Sequence, residues 1–533
     1  MNSHNNEIRY AIEYHEETKH SELRLRMSRH YLDFDNKPRA FKVYPDLPSI
    51  PLPQDFPIPA GDALTCIRSM RPREPGQPLD IRTLAELLFF SAGITRVMKY
   101  DSGTYYMRAA SATGALYPIE LYVISKDIAG LPAGVYHFCP GDFSLTKLRS
   151  GDFRRKLAAM SGDNHDILSS AVTVAFTSLA WRNAWKYEDR SYRHWFWDSG
   201  VIASNLLAVA ISAGLRPSLA MGFVDSAVNS LLLLEQGREA AVVLAPLSST
   251  PAMPADLPDH SPVPVVDIPR ILPLSKGEET EYPEIWKLHD ASSIASSAEA
   301  VEWLRGRNNF NQKLGSIESK EDLRHEHVQS LGSVILRRGS SRRFSRSAIS
   351  RHQLSTILYS STRGVPLDFK KDQESLVDIY LVANAVEGTA PGHYFYNQHA
   401  NSLEQLDTMK EITSRNESGY LCLGQSLFSD ASAVLFLMAD LDAVLKALGN
   451  RGYRACEFEA GVVAGKVYLS SYAQGLGASG STFYDDAVTE AFSPHAKDKA
   501  AMIAIGVGVP GYNARPGKIL AARLTKSELL ANQ

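Results

Sequence analysis

Cysteine is scarce in this chain: of 533 residues only Cys66, Cys139, Cys422 and Cys456 are cysteine, widely spaced and with no CxxC pair. That excludes a disulfide framework and a zinc ribbon, fits a reducing compartment, and predicts buried thiols. An excess of one charge sign is also missing. The formal net charge is -3 with 22% charged residues, so no bias toward nucleic acid or another polyanion is expected. No stretch approaches the roughly 18 to 20 uncharged apolar residues of a membrane span, and the opening Met1-Asn-Ser-His-Asn-Asn-Glu7 lacks the basic start and apolar run of a signal peptide. The expectation is a cytoplasmic protein with no membrane partner. No metal is expected either, because His15, His20 and His30 are spaced too irregularly for a ligand set.

What the chain does have is length and a repeat. Its 533 residues exceed one ordinary core and predict at least two domains. Residues 1–60 mix charge with proline and read as an arm that packs without forming a domain. Beyond it, Leu84–Phe90 reads as an amphipathic helix after a turn at Pro75–Pro78; Ile119–Ser125, Val135–Phe138 and Ala171–Phe176 read as strands, and Gly200–Gly214 as a long apolar helix. These elements return. Ile119–Ser125 aligns with Val377–Ala383 at an offset of 258, and the same offset carries Gly134, Tyr136, Ser144 and Leu145 onto Gly392, Tyr394, Ser402 and Leu403. Tyr192, Arg193, Gly200, Gly214 and Leu215 return as Tyr453, Arg454, Gly461, Gly475 and Leu476 at 261, and Leu84, Leu87 and Leu88 as Leu354, Ile357 and Leu358 at 270. Ordered matches with slowly drifting offsets indicate a tandem duplication. The divisions are an arm over 1–60, one copy over 61–250, a linker over 251–330 rich in Pro, Ser and charge with a helix expected over Ser292–Arg307, and a second copy over 331–533.

Three motifs carry chemistry. Arg108-Ala-Ala-Ser-Ala-Thr-Gly-Ala-Leu-Tyr-Pro118 is a small-residue turn feeding a strand, and Ser111, Ala112, Thr113 and Gly114 let the backbone lie flat against a ligand; an ordinary turn before an edge strand has the same composition. Leu336-Arg-Arg-Gly-Ser-Ser-Arg-Arg-Phe344 concentrates arginine forks and serine hydroxyls suited to phosphate, or forms a solvated basic turn or a regulatory phosphorylation site. Lys186-Tyr187 offers a base and a proton donor if buried, and otherwise is a surface pair. Gly475-Leu-Gly-Ala-Ser-Gly480 and Gly506-Val-Gly-Val-Pro-Gly511 both satisfy GxGxxG. The first follows a helix and the second contains Pro510, so neither is a dinucleotide-binding loop.

The loop with its Gly-Ala-Leu-Tyr-Pro ending, together with Arg338-Gly-Ser340-Ser-Arg342, resembles the nitroreductase fold, closest to the SagB/ThcOx-type azoline dehydrogenases. The resemblance implies an α+β nitroreductase-like fold whose two tandem copies form an intramolecular pseudo-dimer, with FMN as cofactor. It places the FMN phosphate and ribityl chain at Arg338, Gly339, Ser340 and Arg342, the flavin at the loop Ser111, Ala112, Thr113 and Gly114, the ring edge along Gly480, Ser481 and Thr482, and Arg515 or Lys518 near the phosphate. It makes Lys186-Tyr187 the catalytic pair, which the second copy lacks, having Ala447-Leu448. The family's Glu-Ala-Gly-His helix start is Asp198-Ser-Gly-Val201 and Glu459-Ala-Gly-Val462 here, without the histidine.

The copies are complementary. The first has Ile67 where the leading arginine of Ile67-Arg-Ser69-Met-Arg71 belongs, and the second has Asp372-Gln-Glu374-Ser-Leu-Val377 where the loop belongs. One composite site per chain is expected. The implied activity is oxidation of an azoline to an azole in a peptide-derived or other natural-product intermediate, by hydride transfer to flavin N5. Alternatives are an NAD(P)H-dependent flavin reductase of quinones or nitro compounds, and a degenerate peptide-binding scaffold. Partners would be a small-molecule or peptide substrate and biosynthetic partner proteins.

Overall fold

The computed structural model describes residues 4–101, 103–248, 256–306, 329–370 and 375–531. Two antiparallel sheets organise it. The first runs in the order β1 (Ser49–Pro51), β6 (Ser144–Ser150), β5 (Gly134–Cys139), β4 (Ile119–Ser125), β7 (Val172–Leu179), β9 (Glu239–Ser248) and β8 (Arg216–Pro217). The second runs β12 (Ser402–Gln405), β11 (Gly392–Asn397), β10 (Asp378–Ala383), β13 (Ala433–Ala439), β15 (Ala500–Gly508) and β14 (Gly477–Ser481). Register follows the repeat: Val123 lies opposite Tyr136 in the first sheet, and Leu381 opposite Tyr394 in the second. A separate hairpin, β2 (Ile94–Tyr100) with β3 (Gly103–Arg108), belongs to the first copy.

Among the described residues the longer helices of the core are α1 (Ile81–Ala92), α2 (Ser191–Ser212), α3 (Arg351–Ser361) and α4 (Arg451–Ala473), with α2 packed against α4. Asp80 accepts from Thr83 N to start α1, and Ser350 with Gln353 forms a reciprocal cap on α3. α2 and α4 are buried along almost their whole length, and the charged residues they carry, such as Arg193 and Asp198 on α2 and Arg451, Arg454 and Glu459 on α4, are buried with them. The run Ala180–Ser212 is long and apolar enough to cross a membrane by length and composition, yet it carries charged residues and 94% of its most apolar window is buried inside the fold.

The copies lock reciprocally. Arg190 and Arg193, entering α2, bind Asp485 of the second copy at 3.0 and 2.8 Å, while Arg451 and Arg454 of α4 bind Asp225 of the first copy at 2.6 Å each. Tyr14, on the arm helix Arg9–Glu17, meets the repeat-related Tyr192 and Tyr453 edge-on at 5.7 and 5.8 Å. The arm thus straddles the junction, and β1 extends the first sheet beside β6.

Space does not follow the sequence divisions throughout. Within the stretch read as linker, Pro283–Ala291 is helical as well as Ser297–Gly306, because Ile285, Leu288 and His289 make a buried face at helical spacing. The end of the second copy packs on the first: Leu529 joins Phe41, Ile94 and Cys139 in one apolar cluster. All four cysteines are buried and unpaired.

Candidate functional site

The loop after β3 is held from below by a carboxylate on α2. Asp198 accepts from Thr113 N at 2.9 Å and from Thr113 Oγ1 at 2.8 Å, and it is buried. Burial pushes its pKa up to about 7, opposed by the two Thr113 bonds. Gly114 stands at φ +62°, and a Cβ there would come 2.6 Å from the Tyr187 hydroxyl, so glycine is required for backbone geometry and for the tyrosine's approach. Tyr187 is half-buried, and burial raises its pKa with a further push from Asp198. Its ring meets His194 edge-on at 4.7 Å. His194 Nδ1 lies 2.5 Å from Asn183 Oδ1, an atom that only accepts, so the proton sits on Nδ1; burial holds the ring neutral. Lys186 Nζ lies 5.3 Å from the Tyr187 ring centroid.

The second copy supplies the facing wall. Arg338 is buried, and its Nε and Nη2 donate to the Ala109 and Arg108 carbonyls at 2.9 and 3.0 Å. These two donors therefore tie the arginine turn to the root of the first copy's loop, a role the motif alone did not indicate. Arg96 on the hairpin donates to the Arg337 carbonyl at 3.1 Å, closing the same seam. Next to it Gly339 and Ser340 are half-buried and Arg342 is exposed. Tyr468 on α4 accepts from Gly480 N at 2.6 Å and lies 3.3 Å from Ser340 Oγ. Gly480 is exposed, Ser481 and Thr482 are half-buried, and Thr482 Oγ1 is itself buried without a hydrogen-bond partner. The segment carrying the exposed Arg515 and Lys518 runs alongside, with Gly517 N donating to the Leu336 carbonyl and Lys518 N to the Thr95 carbonyl.

The repeat-related cleft on the opposite side is filled by the chain itself. Leu219, Ala220 and Met221 correspond to Gly480, Ser481 and Thr482 at the offset of 261, yet all three are buried. Leu219 N donates to the Pro366 carbonyl, Asp368 N donates to the Leu219 carbonyl, and the Asp368 carboxylate accepts from Met221 N and Gly222 N at 3.0 Å. Leu367 and Phe369 are buried on either side. Gly364, at φ +68°, abuts the Arg68 and Ser69 carbonyls, the counterparts of Gly339 and Ser340. Glu459 repeats the part of Asp198 here: it accepts from Leu376 N and Ser375 Oγ and pairs with Lys370 at 2.5 Å. Asp372 and Glu374, contrasted above with the first copy's loop, lie outside the described residues.

The structure therefore gathers Ser111–Gly114 with Tyr187, and Gly339, Ser340 and Arg342 with Gly480–Thr482, joining the two sets through Arg338. Asp198, Tyr468 and Asp368 were not singled out as site residues from the sequence. The repeat offered a signal for the first two, since Asp198 pairs with Glu459 and Tyr468 replaces Leu207 at the same offset. Among the described residues no group of three or more His, Cys, Asp or Glu could hold a metal.

No protein-family model matches the sequence. A solved structure from Anabaena variabilis, named as a nitroreductase, superposes with a TM-score of 0.72 at 26% identity and covers 94% of this chain and 99% of its own. A Methanocaldococcus jannaschii protein, also named as a nitroreductase, is 26% identical over 191 residues, 36% of this chain and 92% of the relative. The trifolitoxin-processing protein TfxB of Rhizobium leguminosarum bv. trifolii is 35% identical over 170 residues, 31% of this chain, and the match spans 45% of TfxB. With two copies locked about one pair of core helices, the chain has a nitroreductase-like fold of the oxidoreductase class and is similar in sequence to SagB-type proteins.

Proposed function

We propose that the chain is an FMN-dependent dehydrogenase with one cofactor site, composed from both copies, acting on a peptide-derived or other natural-product intermediate by azoline-to-azole oxidation. The observation that carries this is the asymmetry of the two clefts. In one, Gly114 and Gly480 are exposed and Thr482 Oγ1 is unpartnered, while in its twin the corresponding Leu219, Ala220 and Met221 are buried against Leu367, Asp368 and Phe369. The open cleft suits FMN: Ser340, Arg342, Arg515 and Lys518 provide donors for a phosphate, and Gly114, Gly339 and Gly480 admit a flat ring close to backbone. When bound, FMN supplies the hydride acceptor.

The chain's own residues orient and handle protons. Arg338 and Asp198 hold the loop, Ser111–Gly114 shapes one wall, and Tyr187, with its raised pKa, stays protonated at neutral pH and can donate a hydrogen bond above Gly114. Lys186 beside it is the base of the pair. A peptide substrate and biosynthetic partner proteins are consistent with the name of TfxB, a toxin-processing protein. The absorbance spectrum, with flavin released on denaturation counted per chain, tests the reading. About one FMN per chain supports it; two would place a cofactor in the filled cleft as well; none after reconstitution with excess FMN would favour a binding scaffold. The nitroreductase-named relative matched over 92% of its length supports a second reading, reduction driven by NAD(P)H, for which bleaching of bound flavin by NAD(P)H is the sign.

A further inference from the structure

The two core helices differ where they border the open cleft. α4 has Tyr468 where α2 has Leu207. The Tyr468 side chain is buried, its ring lies 5.9 Å from the Arg338 guanidinium, and its hydroxyl reaches Gly480 on β14 and Ser340 in the arginine turn. Its oxygen takes the Gly480 N–H. That leaves the phenolic hydrogen to give, and Ser340 Oγ is within reach to accept it. A serine that accepts this bond keeps its own hydrogen for another partner. The counterpart in the filled cleft behaves oppositely: Ser69 Oγ donates back to the Thr65 carbonyl at 2.6 Å, so its hydrogen is already used.

Resting on the FMN reading, we propose that Tyr468 is a positioning residue that sets Ser340 as a hydrogen-bond donor toward the phosphate end of the cofactor. The filled cleft has neither the tyrosine nor an outward-donating serine, so the relay from Gly480 through Tyr468 to Ser340 is specific to the open one. It acts only through Ser340. Its signature is a selective loss of FMN over riboflavin, which has the same ring and ribityl chain but no phosphate.

The test is a set of dissociation constants for FMN and riboflavin, read by quenching of flavin fluorescence, for the wild type, Tyr468→Phe, Ser340→Ala and the double variant. Phenylalanine keeps the ring and its packing, and Ser340 is only half-buried, so thermal melts are expected to stay close to wild type. Each single variant should weaken FMN binding about tenfold, the double variant no more than either single, and riboflavin binding should stay within about twofold. Tyr468→Phe binding FMN like the wild type, additive losses in the double variant, or equal losses for riboflavin would each overturn the inference while leaving the FMN reading in place. A wild type that binds neither flavin would overturn both.

Discussion

Gly200 and Gly461 face each other where the two core helices cross, and neither position has room for a methyl group. A Cβ on Gly200 would lie 2.5 Å from the Gly461 carbonyl carbon and the Val462 nitrogen, and one on Gly461 would lie 2.6 Å from the Trp197 carbonyl oxygen. The obstacles are backbone atoms, so no rotamer change relieves them. Alanine would gain up to about 1 kcal/mol of helix propensity but would force the helices apart, and overpacking of this kind costs about 1 to 3 kcal/mol. Gly200→Ala and Gly461→Ala should each lower stability in urea unfolding. An unchanged midpoint would show that the crossing is looser than described.

The reciprocal ion pairs predict an acid-sensitive junction. Arg451 and Arg454 draw the pKa of Asp225 down to about 2 against its burial, below the ordinary value near about 3.9. A depressed carboxylate contributes stability that is present above about pH 4 and is lost as pH falls toward 2. Asp225→Ala should remove that dependence and, by leaving two buried guanidinium groups without their carboxylate, cost roughly 3 to 5 kcal/mol. Denaturant unfolding of both proteins between pH 2 and pH 6 checks this.

Asp198 has the opposite sign. Its pKa is raised to about 7, so the folded state favours the protonated acid, and the stability this contributes is lost as pH rises from about 4 through about 7. Asp198→Asn cannot ionise. It should therefore gain on the wild type as pH increases across that window, by a few kcal/mol at most given three pH units at roughly 1.4 kcal/mol each. Parallel stability curves for the two proteins would remove Asp198 as the source.

Asp368 distinguishes the filled cleft from the open one. Asp368→Ala strips the acceptor from Met221 N and Gly222 N, an expected loss of about 1 to 3 kcal/mol for each buried donor left unmet. Flavin content should stay near one per chain. Conversely Arg342→Ala and Ser340→Ala should weaken FMN retention, whereas Arg68→Ala, beside the filled cleft, should leave it unchanged. Equal loss from Arg68→Ala and Arg342→Ala would end the single-site reading.

Much of this organisation was legible in the residues. The offsets of 258 and 261 predicted two copies with matching register, and Val123 opposite Tyr136 and Leu381 opposite Tyr394 show it, because a strand's pairing follows its alternation of faces. The apolar run from Gly200 predicted a long helix, and the fold buries it along almost its whole length. The loop and the arginine turn stood out because small residues and arginine forks are compositional signals, whereas Gly480–Thr482 came from the resemblance to the nitroreductase fold.

Tertiary structure alone decided how those signals are used. Arg338 reads as a phosphate ligand in sequence, yet two of its donors go to carbonyls some 230 residues away, a pairing set by how the copies dock. Val365–Phe369 has no motif; it becomes the filling of a cleft only because Leu219, Met221 and Gly222, far earlier in the chain, present backbone groups that pair with Pro366 and Asp368. Local pattern determines which face a residue turns inward, because that depends on its neighbours in the chain. Which backbone groups it then meets depends on packing between distant segments, and so the choice of one working cleft from two similar halves was made by the fold.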